Sequence, residues 1–189
     1  MIVTGIGTRY PDHQAFQMMV KIAKRMAGLG WSLRSGGAIG SDSAWEQGWS
    51  GFDTKEIYLA AGVDKEFDYQ INSYDMWLEA QDIASRVHPV WERLSQTSQD
   101  LHTRNIFQVL GLTLDRKSDI LVAYAEPKGH SVKGGTATAY NLAKSLGVPV
   151  YNLYTVEGQT LFYTKLAEIY GGTYTPPKPP SLEDFFEFE

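Results

Sequence analysis

Three short apolar segments, each followed by a glycine-bearing loop and then by a helical pattern, constrain the fold of this chain most strongly. The loops are "TGIGTR", "RSGGAIGSD" and "KGGTAT". After Pro11 and Asp12, which suit a helix start, apolar residues recur at helical spacing over 16–29. "KEIYLA" (residues 55–60) is typical of another strand. A β-α-β-α-β order within about sixty residues predicts a parallel sheet covered by helices.

The remainder of the chain continues this alternation. "SYDMWLEAQDIASRVH" and "DLHTRNIFQVLGLTL" have helical patterns, and residues 118–125 form the near-continuous apolar run of a buried parallel strand. Residues 148–153 predict the last strand and residues 158–170 the last helix. We therefore expect one α/β Rossmann-like domain over residues 1–172, with a mostly parallel sheet and helices on both faces. Residues 173–189 form a proline-rich, then acidic and aromatic tail, which predicts an extended arm.

Composition excludes several classes of function. The chain has no cysteine, so it has no disulfide, thiol nucleophile or thiolate metal site. No apolar run approaches the roughly 20 residues of a membrane span, and the N-terminus lacks the layout of a secretion signal. A cytoplasmic protein without a membrane partner is the simplest interpretation. The net charge of −5 argues against nucleic acid as a partner, while a few local donors could still hold a small anion.

The glycine-bearing loops predict a binding crevice. In an open parallel sheet, ligands bind beyond the carboxyl ends of the strands, where helix N-termini present unpaired N–H groups. If the strand order brings the three loops together, their glycines let the backbone approach a phosphate or another anion. The first loop is not a GxGxxG motif, because Tyr10 stands in place of the third glycine, and no P-loop motif is present.

Five stretches together resemble the SLOG superfamily, Rossmann-like domains shared by the Smf DNA-processing proteins and the lonely-guy phosphoribohydrolases. They are "GTR", "LRSGGAIGSDSAWEQG", "LHTRNIFQVLG", "SDILVAYA" and "GGTATAYNLAKSLGVPVYNL". The pattern is most similar to small SLOG proteins of bacteriophages. The resemblance implies a nucleotide-derived ligand, such as a cyclic nucleotide or an ADP-ribose-type signal. A phage protein of this kind could sequester a host immune signal.

The resemblance and the loop pattern together predict the ligand-binding residues. These are Gly7, Thr8, Arg9, Tyr10, Ser35, Gly36, Gly37, Ala38, Gly40, Ser41, Asp42, Trp45, Arg104, Asn105, Lys133, Gly134, Gly135, Thr136 and Thr138. The lonely-guy enzymes carry a catalytic glutamate after their glycine loop, and "KGGTATAYNLA" has none. We therefore expect binding without turnover and no cofactor or metal. The alternatives are a nucleotide N-glycosidase or hydrolase using Glu46 or Asp42, and an Smf-type DNA-binding recombination mediator.

Several of these residues have a second, structural explanation. Arg9 could bind a phosphate or pair with a nearby carboxylate, and Asp42 could contact the ligand or cap a helix. Arg104 and Asn105, placed near a helix start, suit a nucleobase edge or an interhelical contact. Lys133 could neutralise a phosphate or lie in solvent. The aromatic residues and the tail predict a homo-oligomer, a dimer or larger.

Overall fold

A five-stranded parallel sheet organises residues 1–60 and 73–175, the part of the chain that this computed structural model describes. The strands, in chain order, are β1 (Ile2–Gly7), β2 (Ser32–Ser35), β3 (Lys55–Ile57), β4 (Ile120–Tyr124), β5 (Pro127–Lys128), β6 (Ser131–Val132) and β7 (Val150–Asn152). The sheet has the order β3–β2–β1–β4–β7, and β5 and β6 form a separate antiparallel hairpin.

Six helices within the described residues cover the sheet. They are α1 (His13–Gly28), α2 (Ser41–Gly48), α3 (Tyr74–Val87), α4 (Gln96–Leu110), α5 (Thr136–Ser145) and α6 (Val156–Ile169), with a short 3-10 turn at Trp91–Arg93. The sequence explains their starts, because Asp12, Ser73, Ser95 and Thr155 each accept a hydrogen bond from a backbone N–H in the first turn. The single Rossmann-like α/β domain predicted from the sequence is confirmed.

Alternating side chains of the strands build two cores, one on each face of the sheet. Val3 and Val122 face the core formed with α1, α2 and α6, while Leu121 and Ala123 face the core formed with α3, α4 and α5. This alternation follows from the two-residue period of a strand. Both faces are buried, which explains why the sequence of β4 is apolar throughout.

The start of α4 differs from the prediction. Arg104 and Asn105 lie in the middle of the helix and not near its start, because the polar stretch before them is itself helical. Ser95 begins that helix by accepting a hydrogen bond from Ser98 N at 3.3 Å. The hairpin of β5 and β6 was also not predicted, since each of its strands has only two residues. The predicted arm lies outside the described residues from position 176 onward.

The order in which strands are added to the sheet changes direction beside β1, and this change determines where the site lies. From β1 the chain moves to β2 and β3 on one side, then returns to β4 and β7 on the other. The loops after β1 and β4 therefore diverge and leave a crevice at their carboxyl ends, where Gly7 is opposite Tyr124. None of the helices within residues 1–60 and 73–175 is long and apolar enough to cross a membrane.

Candidate functional site

A cavity of about 470 Å³ lies at the carboxyl ends of β1 and β4. It is lined by Ile6, Gly7, Thr8, Arg9, Tyr10, Ala38, Asp42, Ser98, Leu101, His102, Arg104, Asn105, Gln108, Ala125, Glu126, Lys133, Gly134, Gly135, Thr136 and Ala139. Its size lies within the range of roughly 300–1,000 Å³ that small-molecule sites show. The loops after β1 and β2 and the loop before α5 all reach this cavity.

The predicted site residues divide into two groups by position. Twelve line the cavity: Gly7, Thr8, Arg9, Tyr10, Ala38, Asp42, Arg104, Asn105, Lys133, Gly134, Gly135 and Thr136. Seven are not among the lining residues: Ser35, Gly36, Gly37, Gly40, Ser41, Trp45 and Thr138. Six of these seven belong to the end of β2, the loop after it and α2.

We call the segment 35–42 the packed loop, because its glycines are in close contact with other parts of the protein. A Cβ on Gly36 would lie 1.4 Å from Arg104 Nη1, and one on Gly40 would lie 2.4 Å from the Arg9 carbonyl oxygen. Gly40 also has a φ of 87°, a conformation that favours glycine. The glycines of this loop therefore allow close approach by Arg104 and by the backbone of Arg9.

Donors at the start of α2 are also engaged within the protein. Ser41 N and Ser41 Oγ both donate to the Thr8 carbonyl oxygen, at 3.0 Å and 2.9 Å, and Ser43 N donates to the Ala38 carbonyl oxygen at 3.1 Å. Ser35 Oγ donates to the Gly5 carbonyl oxygen at 2.8 Å. The bonds of Ser35 and Ser41 join the packed loop to β1 and the segment after it, so these two hydroxyls face the protein, while Ala38 and Asp42 line the cavity.

Trp45 lies in the core and not in the crevice. Its indole is fully buried, and a Cβ on Gly5 would lie 2.6 Å from its Cγ, so the indole packs directly on the backbone of β1. Of the two aromatic residues predicted to line the crevice, only Tyr10 is a lining residue. Thr138 is buried in α5, with its Oγ1 2.7 Å from His102 Nδ1.

The segment 133–136, which we call the open loop, has the opposite character. No atom lies within 4 Å of a Cβ built on Gly134 or Gly135, among the residues the structure describes. Gly135 precedes α5 without a side chain to cap it. Thr136 Oγ1 donates to the Gly7 carbonyl oxygen at 2.9 Å, and Asn105 Nδ2 donates to the Gly135 carbonyl oxygen at 2.9 Å. The open loop is thus held in place from two sides while its glycines face space.

Two cationic residues and one aromatic residue lie at the mouth of the cavity. Arg9 is exposed, and Tyr10 beside it is 82% exposed. Lys133 pairs with Glu126, and both side chains are about half exposed. Glu126 offsets the charge of Lys133, so the charge of Arg9 and the dipole of α5 are what favour an anion here.

A buried ion pair joins the packed loop to α4. Arg104 Nη1 is 3.6 Å from Asp42 Oδ2, and both side chains are more than nine-tenths buried. Arg104 also donates to the Gly36 carbonyl oxygen. The Gln108 carboxamide oxygen accepts from Gly36 N at 2.8 Å and from Arg104 Nη1 at 3.1 Å. This network connects α4 to the packed loop.

Burial shifts the pKa of both charged groups in this network. It raises the pKa of Asp42, against the opposing effect of the Arg104 charge. It lowers the pKa of Arg104, against the charges of Asp42 and Glu46. Desolvation therefore outweighs the mutual attraction, so each partner depends on the other to remain charged.

A histidine lies beneath the open loop. His102 is 8% exposed, and its ring centroid is 4.4 Å from that of His88. Burial, together with the charges of His88 and Arg104, lowers the pKa of His102 to about 4. The imidazole is therefore neutral at physiological pH.

Eight lining residues were not among the predicted site residues: Ile6, Ser98, Leu101, His102, Gln108, Ala125, Glu126 and Ala139. Four of them lie on α4, at 98, 101, 102 and 108, which share a helix face with Asn105. The spacing of these positions was the available signal. Ser98 was missed because the predicted helix began at Asp100, whereas Leu101, His102 and Gln108 lay within that helix and were not predicted as site residues.

The alternative catalytic residues occupy different positions. Asp42 lines the cavity but is engaged with Arg104, and its Oδ2 accepts from Ala38 N at 3.3 Å. Glu46 is not among the lining residues, although its charge reaches Arg104. A role for either carboxylate in hydrolysis stays a prediction.

The chain matches no protein-family model and no curated protein sequence. Among solved structures it is similar to DNA processing protein A from Helicobacter pylori, which was described for its single-stranded DNA binding mode. The TM-score is 0.48 at 17% sequence identity, and the match covers 87% of this chain and 72% of that chain. A likeness at this level concerns the fold. The narrower resemblance to phage proteins stays a prediction.

This comparison corrects one expectation. From the net charge we argued against nucleic acid as a partner, yet the similar structure is of a protein that binds single-stranded DNA. The exclusion is wrong because net charge does not describe the local surface. Residues 173–189 carry four carboxylates and one lysine, so they account for three of the five net negative charges.

Proposed function

We propose that the crevice binds the phosphate group of a nucleotide, with the open loop, Arg9 and Lys133 as its anion-binding side. The observation that carries this proposal is the open loop itself, where two glycines facing space precede an uncapped helix. Backbone N–H groups at such a position bind phosphate without a dedicated side chain. Arg9 adds a permanent charge and a planar group that can form two hydrogen bonds to one phosphate.

Tyr10 supports a nucleotide over a simple anion. Its ring is 82% exposed next to Arg9 at the mouth of the cavity, which is a position for stacking on a base. The finer expectation is a small nucleotide-derived signal, such as a cyclic nucleotide or an ADP-ribose-type compound, that is held without conversion. Whether such a signal is held intact or converted is decided by the state of the ligand recovered from the protein.

Single-stranded DNA is the second candidate ligand, and the same exposed pair favours it. An aromatic ring for base stacking beside a cation for the backbone is the arrangement that single-strand binding surfaces use. Tyr10 and Arg9 lie at the mouth, where a continuous strand could pass. In this case the crevice would hold one nucleotide of the strand, and binding would weaken strongly with added salt.

Titration calorimetry with nucleotides, cyclic nucleotides and an oligodeoxynucleotide tests the proposal. Arg9→Ala should weaken binding at least about tenfold, since a charge-assisted hydrogen bond contributes roughly 1.5–3 kcal/mol. Arg25→Ala is the matched control, because Arg25 is an exposed arginine in the last turn of α1 and not a lining residue. Equal affinities for the parent and Arg9→Ala would contradict the proposal.

Chromatography of the ligand released by denaturation distinguishes binding from turnover. Intact nucleotide recovered in stoichiometric amount indicates a binding protein, whereas free base or a shortened nucleotide indicates an enzyme. Asp42 is the lining carboxylate that an enzyme of this kind would use, so Asp42→Asn should then abolish product formation.

A further inference from the structure

The interior of the crevice differs chemically from its mouth. We call the lining residues Ile6, Leu101, His102, Asn105 and Ala139 the α4 floor, since three of them belong to α4. Four of the five are buried and Leu101 is half-buried, whereas Arg9, Tyr10 and Lys133 at the mouth are exposed. The α4 floor combines apolar surface with two hydrogen-bonding side chains, and none of its members carries a charge at neutral pH.

His102 has one ring nitrogen engaged and one available. Its Nδ1 is 2.7 Å from Thr138 Oγ1, which fixes the orientation of the ring. Within residues 1–60 and 73–175 its Nε2 has no hydrogen-bond partner, and it is not one of the fully buried side-chain atoms without a partner, so it is in contact with the crevice that His102 lines. A polar atom without a protein partner at the surface of a cavity is expected to form a hydrogen bond with water or a ligand.

The surroundings of His102 keep its ring uncharged. Thr138 from α5 and the His88 ring at the end of α3 pack against it, and the charge of Arg104 on α4 also acts on it. In the part of the chain that the structure describes, no carboxylate is among the groups that shift its pKa, which is lowered to about 4. A neutral imidazole hydrogen-bonds to an uncharged partner but does not attract a phosphate as a cation would.

Asn105 adds a second hydrogen-bonding group to the same floor. Its Nδ2 donates to the Gly135 carbonyl oxygen at 2.9 Å, so the orientation of the carboxamide is fixed. Ile6, Leu101 and Ala139 supply apolar surface beside it. Apolar walls with a few fixed polar groups are the usual environment of a bound heterocycle.

We infer that the α4 floor is a subsite for an uncharged nucleobase and that His102, through Nε2, is the residue that selects the base. The inference rests on the proposed function, since the base belongs to the nucleotide whose phosphate is held at the open loop. The base could be that of a free nucleotide or of one unit in a DNA strand.

Calorimetry with the four nucleoside 5′-monophosphates and with ribose 5-phosphate tests this inference. At least one monophosphate should bind about tenfold more tightly than ribose 5-phosphate, which lacks a base. His102→Leu should remove about tenfold of that affinity and leave ribose 5-phosphate within about twofold of the parent. His102→Gln, which keeps a hydrogen-bonding group, should retain part of the preference and serves as the second variant if His102→Leu unfolds.

The same data separate the two proposals. If ribose 5-phosphate binds and no monophosphate binds more tightly, the base subsite is wrong and the phosphate proposal stands. Equal weakening of all ligands by His102→Leu and His102→Gln also overturns the base subsite. Absence of binding by every ligand, including a short oligodeoxynucleotide, overturns both. A His102→Leu effect on the oligodeoxynucleotide but not on the monophosphates assigns the base to a strand.

A pH series tests whether the ring acts as a neutral group. Between pH 6 and 8, the ratio of monophosphate affinities for the parent and His102→Gln should stay constant. A ratio that rises as the pH falls would mean that a charged His102 binds the phosphate, which overturns the inference. NMR titration of the imidazole signals, assigned by the loss of one set in His102→Gln, checks the protonation state directly.

Discussion

The packed loop and the open loop look alike in sequence and differ in what their glycines face. Both contain paired glycines after a strand and before a helix. The missing side chain of Gly36 in the packed loop makes room for Arg104 and Gln108. At Gly135 in the open loop, none of the described residues occupies the corresponding space. A glycine-rich loop therefore signals close approach by another group. Whether that group is protein or ligand depends on what the rest of the chain places there.

Removing Arg104 should show the largest effect, since its side chain holds the packed loop to α4. Arg104→Met leaves the Asp42 carboxylate buried without its partner, so we expect a loss of about 3–5 kcal/mol in unfolding free energy. Urea denaturation measures the loss. The matched control is Arg86→Met, which breaks an exposed pair with Asp82 and should cost about 0–1 kcal/mol. Similar losses for the two variants would contradict a structural role for the buried pair.

Adding one methyl group to each loop compares them directly. Gly36→Ala places a Cβ 1.4 Å from Arg104 Nη1 and 2.0 Å from the Gln108 carboxamide, and should cost about 2–3 kcal/mol. Gly135→Ala meets no atom of the described residues within 4 Å, and the φ of −61° at Gly135 suits alanine, so it should change stability by less than about 0.5 kcal/mol.

Thermal and urea unfolding of the two alanine variants give the comparison. If the open loop contacts a ligand, Gly135→Ala should weaken nucleotide affinity while the protein stays folded. The variant with the smaller loss of stability would then have the larger loss of affinity. Equal stability of the two variants would mean that the glycines of both loops face space, and the distinction between them would fail.

The fold could be predicted from the sequence because its signals are local. The apolar run of β4, the helical periodicity of α1 and the glycines at strand ends each depend on neighbouring residues alone. The order of the strands then follows from few possibilities, since parallel β-α-β units connect in one hand. The convergence of the three loops is a consequence of that order.

The α4 floor could not be predicted in the same way. The predicted helix began at Asp100, which placed Arg104 and Asn105 near its start and left 98 outside it. Residues 101, 102 and 105 lay within the predicted helix, but the direction in which their face points depends on how α4 packs against the rest of the fold. The place of Trp45 was equally hidden. Its burial depends on Gly5 of β1, forty residues away, which leaves the space that the indole fills. Such contacts have no local signature.

Acidification sharpens the comparison at the helix that underlies both loops. At the packed loop, α4 carries Arg104, whose pKa is lowered by burial. At the open loop it carries the neutral His102, whose pKa is lowered to about 4. An unfolded histidine binds a proton below about pH 6.5. The unfolded state therefore gains more protons than the folded state as the pH falls from 6.5 to 4, and stability decreases over that range.

Unfolding free energies of the parent and His102→Gln, measured from pH 7 to pH 4, test this difference. The parent should lose about 1–2 kcal/mol more than the variant, less than the full pKa difference would give because water reaches the crevice. His88, whose pKa is lowered by burial, is present in both proteins. Parallel pH curves would mean that the ring of His102 is as fully solvated in the folded protein as in the unfolded chain. The α4 floor would then not be shaped for a base.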